Sequence, residues 1–440
     1  LTAHSATLAI DETVRARRAA GLATLHLGFG EAGLPVAPGL TEVLAASAGR
    51  NSYGPVVGSP EAREAAAGWF GRRGLATEPE QVVFAPGSKP LLFALLAALE
   101  GDVVLPRPSW VSYAAQAALL GRRVIEVPIP ADAGGIPAPE LLELSLRRAE
   151  AAGARPGVLV LTVPDNPTGT VADEQRIASV MSVAARRGLT VISDEIYAEL
   201  GHHGPVPSPA ALGWERTVVT GGLSKSLAVG GWRVGFARLP SGAWGRRLGE
   251  RLTGIASEIW SSLAAPMQAV AVHALREPPE ITAYLGRARQ LHARVAEAAY
   301  TRLVAAGARC RPPRGGFYLY PDFAPVGRPL RARGITTGAA LANALLGTHG
   351  VATLPGNAFG DPASTLTLRI ATGLLYGETE RDRLAALAAP EPERLPWIEA
   401  ALRHLGDALT AVTAKPGTAG TAAAGTEPAP AARAGDVVHD

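Results

Sequence analysis

Only three of the 42 basic residues in this 440-residue chain are lysines: Lys89, Lys225 and Lys415. Chemistry that needs a primary amine, above all attack on a carbonyl, therefore has three candidates. Lys415 lies in AKPGTAGTAAAGTEPAPAARAGDVVHD, a Pro/Ala/Gly/Thr-rich tail with too few large apolar residues to offset its ordering entropy, so disorder is expected there. Lys225 sits in TVVTGGLSKSLAVGGWRVGF, surrounded by Gly, Leu, Ala and Val. Such surroundings lower a lysine's pKa, as an amine nucleophile requires; the plain alternative is a surface lysine in a loop. Arg233, eight residues on, is either an ordinary loop arginine or a bidentate anion clamp. In VVFAPGSKPLLFALLAAL a strand ends, Gly87-Ser88-Lys89 make a turn, and Pro90 opens an apolar helix. Free backbone N–H groups there suit a phosphate, although a simple glycine turn has the same spelling.

Two further segments end apolar runs on polar side chains. GVLVLTVPDNPTG leads a buried strand into Asn166-Pro167-Thr168-Gly169, a rigid turn carrying a side-chain amide. LTVISDEIY closes on two carboxylates, one of which reads as a helix cap or as the partner of a buried cationic ring.

The elements that must position these groups alternate. VVFA, DVVLP, VIEVPI, GVLVLTVP, LTVISDE and TVVTGG read as buried strands of a mostly parallel sheet, with LLFALLAAL and EQRIASVMSVAARRG among the covering helices. Ligands of such sheets gather beyond the carboxyl ends of the strands, where every motif above lies. A helix-rich stretch near 243–310, then GGFYLYPDF and TLTLRIA, indicate a smaller α+β unit. The expected division is an N-terminal segment, 1–40, joining the small domain; a large domain, 41–285; a small C-terminal domain, 286–412; and a disordered tail, 413–440.

Composition narrows the classes. The net charge is only +3, with no run of five like charges and no basic stripe interleaved with aromatics, which argues against nucleic acid. The single cysteine, Cys310, excludes an intrachain disulfide and a cysteine-based metal cluster and fits a reducing cytoplasm. No metal is expected; His202-His203 reads as a solvated loop. The longest apolar run, Leu91 to Leu99, is far short of the ~20 residues a membrane helix needs. Asp11 and Glu12 interrupt the only apolar N-terminal stretch, so no signal peptide is expected, and the first residue is Leu rather than Met.

In order and spacing, LHLGFGE, NSYGPVVGSPEAREAAA, APGSKPLLFALL, RPSWVSY, VPDNPTG, SDEIYAEL, GLSKSLAVGGWRVGF, GGFYLYPDF, GVATLPGNAFG and LRIA resemble the class I/II aminotransferases, the pyridoxal 5'-phosphate (PLP) enzymes of fold type I. The resemblance spans about residues 25–390. It implies an α/β fold with a mostly parallel central sheet in a large domain and a smaller α+β domain. It also implies that Lys225 forms a Schiff base with PLP and then shuttles a proton at the substrate α-carbon. Asp194 would pair with the pyridine nitrogen, Tyr197 and Asn166 would bond the phenolic oxygen, and Trp110 would stack on the ring unless it is a core tryptophan. Gly87, Ser88, Lys89, Ser224 and Arg233 would surround the phosphate, with Tyr53 arriving from a second subunit of a homodimer. Arg369, helped by Gly30 and Asn166, would hold the substrate carboxylate; a strand arginine between Leu368 and Ile370 is rarely buried without a partner.

Two departures stand out. Gly222 occupies a position where many members carry a serine, which removes one phosphate hydroxyl, and Asp165 stands where asparagine is common. Gly28-x-Gly30-x-x-Gly33 matches a dinucleotide fingerprint as a string, but Pro35 and Pro38 follow where its helix should run. The expected activity is amino transfer from an amino acid to a 2-oxo acid. The alternative keeps the cofactor and eliminates or substitutes at the β or γ carbon, as in the 1-aminocyclopropane-1-carboxylate synthase-like branch. A PLP-binding transcription regulator is a third reading, disfavoured because only about 25 residues precede the first landmark. No second arginine marks a dicarboxylate side chain; Trp260, Tyr320 and Asn357 are pocket candidates that packing explains equally well.

Overall fold

The computed structural model describes residues 4–130 and 133–414; the expected tail lies outside them except for residues 413 and 414. Seven strands form one sheet in the spatial order Val82–Ala85, Gly235–Arg238, Thr217–Gly222, Thr190–Asp194, Pro156–Thr162, Asp102–Arg107 and Val124–Pro128. Gly235–Arg238 runs antiparallel to both neighbours; the other pairings are parallel. All six apolar runs read from the sequence are strands of this sheet.

The strands are apolar throughout because both faces are covered. Alternate residues turn to opposite sides. Val103, Leu105, Val158, Val160 and Ile192 pack on the helices Ser88–Ala98 and Gly242–Ile259. Val104, Leu159, Leu161 and Val191 pack on Pro139–Ala151 and Glu174–Arg186. Full burial of each such side chain contributes about 1.5–3 kcal/mol. The helix Glu174–Arg186 starts where Asp173 accepts the Arg176 N–H at 2.7 Å, satisfying one of the donors a helix start leaves over.

The second unit is built on a three-stranded antiparallel sheet, Leu354–Pro355, Leu368–Ala371 and Tyr318–Leu319. Both expected strands there are present but short. Leu25–His26 pairs with Val351–Ala352, so the N-terminal segment is tied to this unit. The division expected at 285/286 falls inside the 27-residue helix Pro279–Ala305. No helix runs directly from Gly28, Gly30 and Gly33; the next, Leu40–Ser47, begins beyond Pro35 and Pro38, and at these glycines the chain passes close to Ile10, Tyr318 and Gly373. A Cβ on Gly33 would lie 2.5 Å from the Gly373 carbonyl oxygen, and the Gly33 N–H bonds that oxygen at 2.9 Å.

Register fixes what comes together. Thr162 lies beside Asp194, and Asp194 beside Thr220, so the turn bearing Asn166, the Asp194 carboxylate and the segment bearing Lys225 leave the sheet at one edge.

Candidate active site

Asp194 ends its strand almost fully buried. Tyr113 donates its O–H to Asp194 Oδ2 at 2.7 Å and Thr220 donates to Oδ1 at 3.2 Å. Burial pushes this carboxyl above its usual range, and the two hydroxyl bonds and nearby Lys225 oppose the shift. Tyr113 escaped the sequence reading although RPSWVSY contains it. Its buried hydroxyl also pairs with Thr162 at 2.8 Å, and its ring meets Trp110 edge-on at 5.2 Å. The signal was the spacing: Trp110 and Tyr113 are three apart at the start of the helix Val111–Leu119, hence on one face.

Lys225 lies in the one-turn helix Leu223–Ser226, with Ser224 half-buried beside it. Its Nζ donates to the Gly30 carbonyl oxygen at 2.5 Å. Burial is the main cause that pushes its pKa down to about 8; Glu31 counters, and Arg369, Arg233 and Lys89 lower it further. Because that value lies below the ordinary 10.5, folding must bury a charge or shed a proton. The penalty is full below about pH 8 and fades as pH rises toward the unfolded value. Without cofactor, a Lys225→Met chain is therefore expected to melt about 2 °C or more above wild type near pH 7, with the gap closing near pH 10. Equal melting temperatures near pH 7 would contradict this.

The Gly87 turn and Arg233 are in contact. Gly87 has φ +99°, and a Cβ there would lie 2.2 Å from the Arg233 guanidinium. Arg233 itself has a left-handed backbone, φ 58°, and donates Nη1–H to the Gly230 carbonyl oxygen at 2.8 Å. Gly235 must be glycine for a related reason: its Cβ would lie 2.4 Å from Ser88 N. Ser88 opens the helix Ser88–Ala98, so its N–H is one of the donors a helix start leaves without an intrahelical acceptor. Lys89 Nζ lies 5.3 Å over the Trp110 ring, and burial together with Arg233 lowers its pKa.

Asn166 is buried and its Nδ2 donates to the Tyr197 hydroxyl at 3.5 Å, while its Oδ1 is buried without a partner among the described residues. Asp165, the departure noted above, braces this turn. It accepts the Thr168 N–H at 3.0 Å and the Thr168 hydroxyl, and burial pushes its pKa up to about 7.

Arg369 is 1% exposed. Nη2 donates to the Gly28 carbonyl oxygen, Nε has no partner among the described residues, and the guanidinium stands 5.0 Å from the Tyr318 ring centroid and 4.9 Å from that of Phe359. Tyr318 also escaped the sequence reading. Its hydroxyl pairs with that of Tyr197 at 2.7 Å, whereas Tyr320, the tyrosine singled out from GGFYLYPDF, donates to Asp361 Oδ2 at 2.8 Å. Asn357 is exposed, and Trp260 packs in the cluster that includes Trp110, its indole N–H buried without a partner among the described residues. Tyr53 is 92% exposed. His202 is half-buried and pairs with the Gly316 carbonyl oxygen at 2.8 Å, so only His203 is solvated as expected.

These residues fit a phosphorylated cationic ring. Asp194, Lys225 and Arg369 are buried or half-buried charges, and none of the three has an ion pair of its own among the described residues. The donor set of Gly87, Ser88 and Arg233 suits a phosphate. Among the described residues no group of three or more His, Cys, Asp or Glu could hold a metal, and no helix is long and apolar enough to cross a membrane.

Residues 31–380 match the family model for aminotransferase class I and II. The chain is 31% identical over 391 residues to an aspartate aminotransferase of Geobacillus stearothermophilus, covering 86% of this chain and 95% of that one. It is 30% identical over 328 residues to the aspartate/prephenate aminotransferase of Thermus thermophilus, covering 73% and 82% respectively. Among solved structures, the aspartate aminotransferase from Thermus thermophilus with maleate superposes with a TM-score of 0.78 at 27% identity, covering 92% of this chain and 97% of that one.

Proposed function

The chain belongs to the class I and II aminotransferases, and from that premise we propose how its residues divide the transfer of an amino group from an amino acid to a 2-oxo acid. The family works with PLP, which we take as the group held by this site. Bound there, PLP supplies an electron sink conjugated to the substrate nitrogen. The observation that carries the reading is the trio Asp194, Lys225 and Arg369, charges gathered in one site with no ion pair of their own among the described residues.

Asp194, fixed by Tyr113 and Thr220, would keep a proton on the ring nitrogen. The Ser88 N–H, the Gly87 turn, Lys89, Ser224 and Arg233 would hold the phosphate, and Trp110 the ring. Tyr197 and Asn166 would hydrogen-bond the phenolic oxygen. Arg369 takes the substrate carboxylate in a two-bond fork, using the Nε–H that has no partner among the described residues. Lys225, with its pKa pushed down to about 8, is neutral often enough to be the attacking amine and then moves a proton at the substrate α-carbon.

We infer a homodimer, in which the exposed Tyr53 would reach the partner's site, and a cytoplasmic setting from the lone, half-buried Cys310, whose thiol burial pushes up to about 11. The domain division given above is kept as part of this reading. We infer an acidic amino donor because the relatives are named for aspartate. The test is a donor panel with the PLP-loaded protein, following cofactor absorbance and 2-oxo acid release. Aspartate and glutamate are expected to convert the cofactor to its shorter-wavelength amine form, with aliphatic and aromatic donors slower. Conversion by aromatic donors alone would refute the donor class. Oxo acid or ammonia release with no amine form would favour elimination.

A further inference from the structure

Tyr197 receives more than one neighbour at its hydroxyl. Asn166 Nδ2–H donates to it at 3.5 Å, and the Tyr318 hydroxyl lies 2.7 Å away. A phenol oxygen carries one proton and two lone pairs. If Tyr197 donated to Tyr318, the Tyr318 proton would need another acceptor, and no other hydrogen bond of the Tyr318 hydroxyl occurs among the described residues. The arrangement that satisfies both groups has Tyr318 donating to Tyr197. Both lone pairs of Tyr197 are then occupied by Asn166 and Tyr318, and its own proton has one direction left, into the site.

Tyr318 is held for this. It is 1% exposed on the strand Tyr318–Leu319, its ring meets Tyr197 edge-on at 5.4 Å, and Phe317 packs on it at 4.8 Å. Its hydroxyl is pressed against Gly30: a Cβ there would lie 2.2 Å away. The groups facing it are Tyr197, the Arg369 guanidinium over its ring, and, across Gly30, Lys225 on the Gly30 carbonyl.

We propose that Tyr318 is a positioning residue whose hydroxyl, by donating to Tyr197, aims the Tyr197 proton at the phenolic oxygen of the bound cofactor. This rests on the reading of the site given above. It places control of Tyr197 in the second unit of the chain, on the short antiparallel sheet that also carries Arg369.

The experiment is a spectrophotometric pH titration of the PLP-loaded wild type and of Tyr318→Phe, Tyr197→Phe and the double variant. A hydrogen bond to the phenolic oxygen stabilises its anionic form, so loss of Tyr197 is expected to raise the midpoint of the visible-absorbance change by about one pH unit or more. Tyr318→Phe, which keeps the ring and its packing, is expected to move it the same way by about half as much. The double variant is expected to match Tyr197→Phe alone, because Tyr318 acts only through Tyr197. An unmoved midpoint in Tyr318→Phe, or shifts that add in the double variant, overturns the proposal. If Tyr197→Phe itself leaves the midpoint in place, the assignment of Tyr197 fails, and that of Tyr318 fails with it.

Discussion

Lys225→Ala is expected to lower kcat about 10⁴-fold or more while the chain still folds and still holds PLP. A positioned acid–base group contributes about 10²–10⁴ by itself, and this lysine is also the amine that the substrate displaces. The two roles reside in one atom, so their losses coincide rather than add. Borohydride reduction is expected to leave cofactor mass on the wild-type chain and none on the variant. The space vacated by Nζ beside the Gly30 carbonyl oxygen is suited to a small primary amine, so methylamine is expected to restore part of the rate. Lys225→Arg is expected to stay inactive because a guanidinium keeps its proton. A variant within about tenfold of wild type, or cofactor mass found on Lys89, would remove Lys225 from this role.

The same physics explains what the sequence made legible. Lys225 was visible because lysine is scarce and its neighbours are apolar, whereas LTVISDEIY showed two carboxylates that would be costly to bury without purpose, and the family resemblance singled out Asp194. The parallel strands were visible because burial on both faces writes them as unbroken apolar runs. Gly235–Arg238 was not, since GFAR is too short and too mixed to carry a period, and it is a strand because it pairs on both sides. Tyr113 and Tyr318 were missed for a different reason. The spacing of Tyr113 from Trp110 puts both on one helix face without telling Tyr113 from a core tyrosine, Tyr318 has no such local pattern, and each gains its meaning from a partner distant in sequence, Asp194 for one and Tyr197 for the other. Choosing between Tyr318 and Tyr320 requires knowing which of them meets Tyr197, and only the packing of the second unit decides that. The glycines of LHLGFGE behaved likewise: as a string they imitate a phosphate loop, and in space they are clearances for Ile10, Tyr318 and Gly373.

A site assembled from charges without mutual ion pairs is poorly arranged for stability. Arg369 is buried on the strand Leu368–Ala371 with one carbonyl and two aromatic faces for company, and burial accordingly lowers its pKa. A buried charge is costly unless it is paired and hydrogen-bonded, and packed apolar groups replace even buried ion pairs at little or no cost in stability. Arg369→Leu is therefore expected to leave the cofactor-free fold intact, which makes its effect on catalysis interpretable.

That effect is expected to be large and to depend on one substrate group. Each charge-assisted bond of the fork is worth about 1.5–3 kcal/mol, so two of them correspond to a loss in kcat/KM of about 10²–10⁴-fold for an amino acid donor. Arg369→Lys is expected to recover little, because an ammonium cannot reproduce the planar fork or its stacking over Tyr318 and Phe359. The decisive comparison pairs each amino acid with the amine that lacks its carboxylate. Wild type is expected to prefer the amino acid by about the same 10²–10⁴, and Arg369→Leu to lose that preference, since the group that read the carboxylate is gone. PLP affinity is expected to be unchanged, which separates a lost substrate contact from a damaged cofactor site. Should the variant keep its preference for the carboxylate, another cation holds it, and Lys89, half-buried over Trp110, would be the next to test.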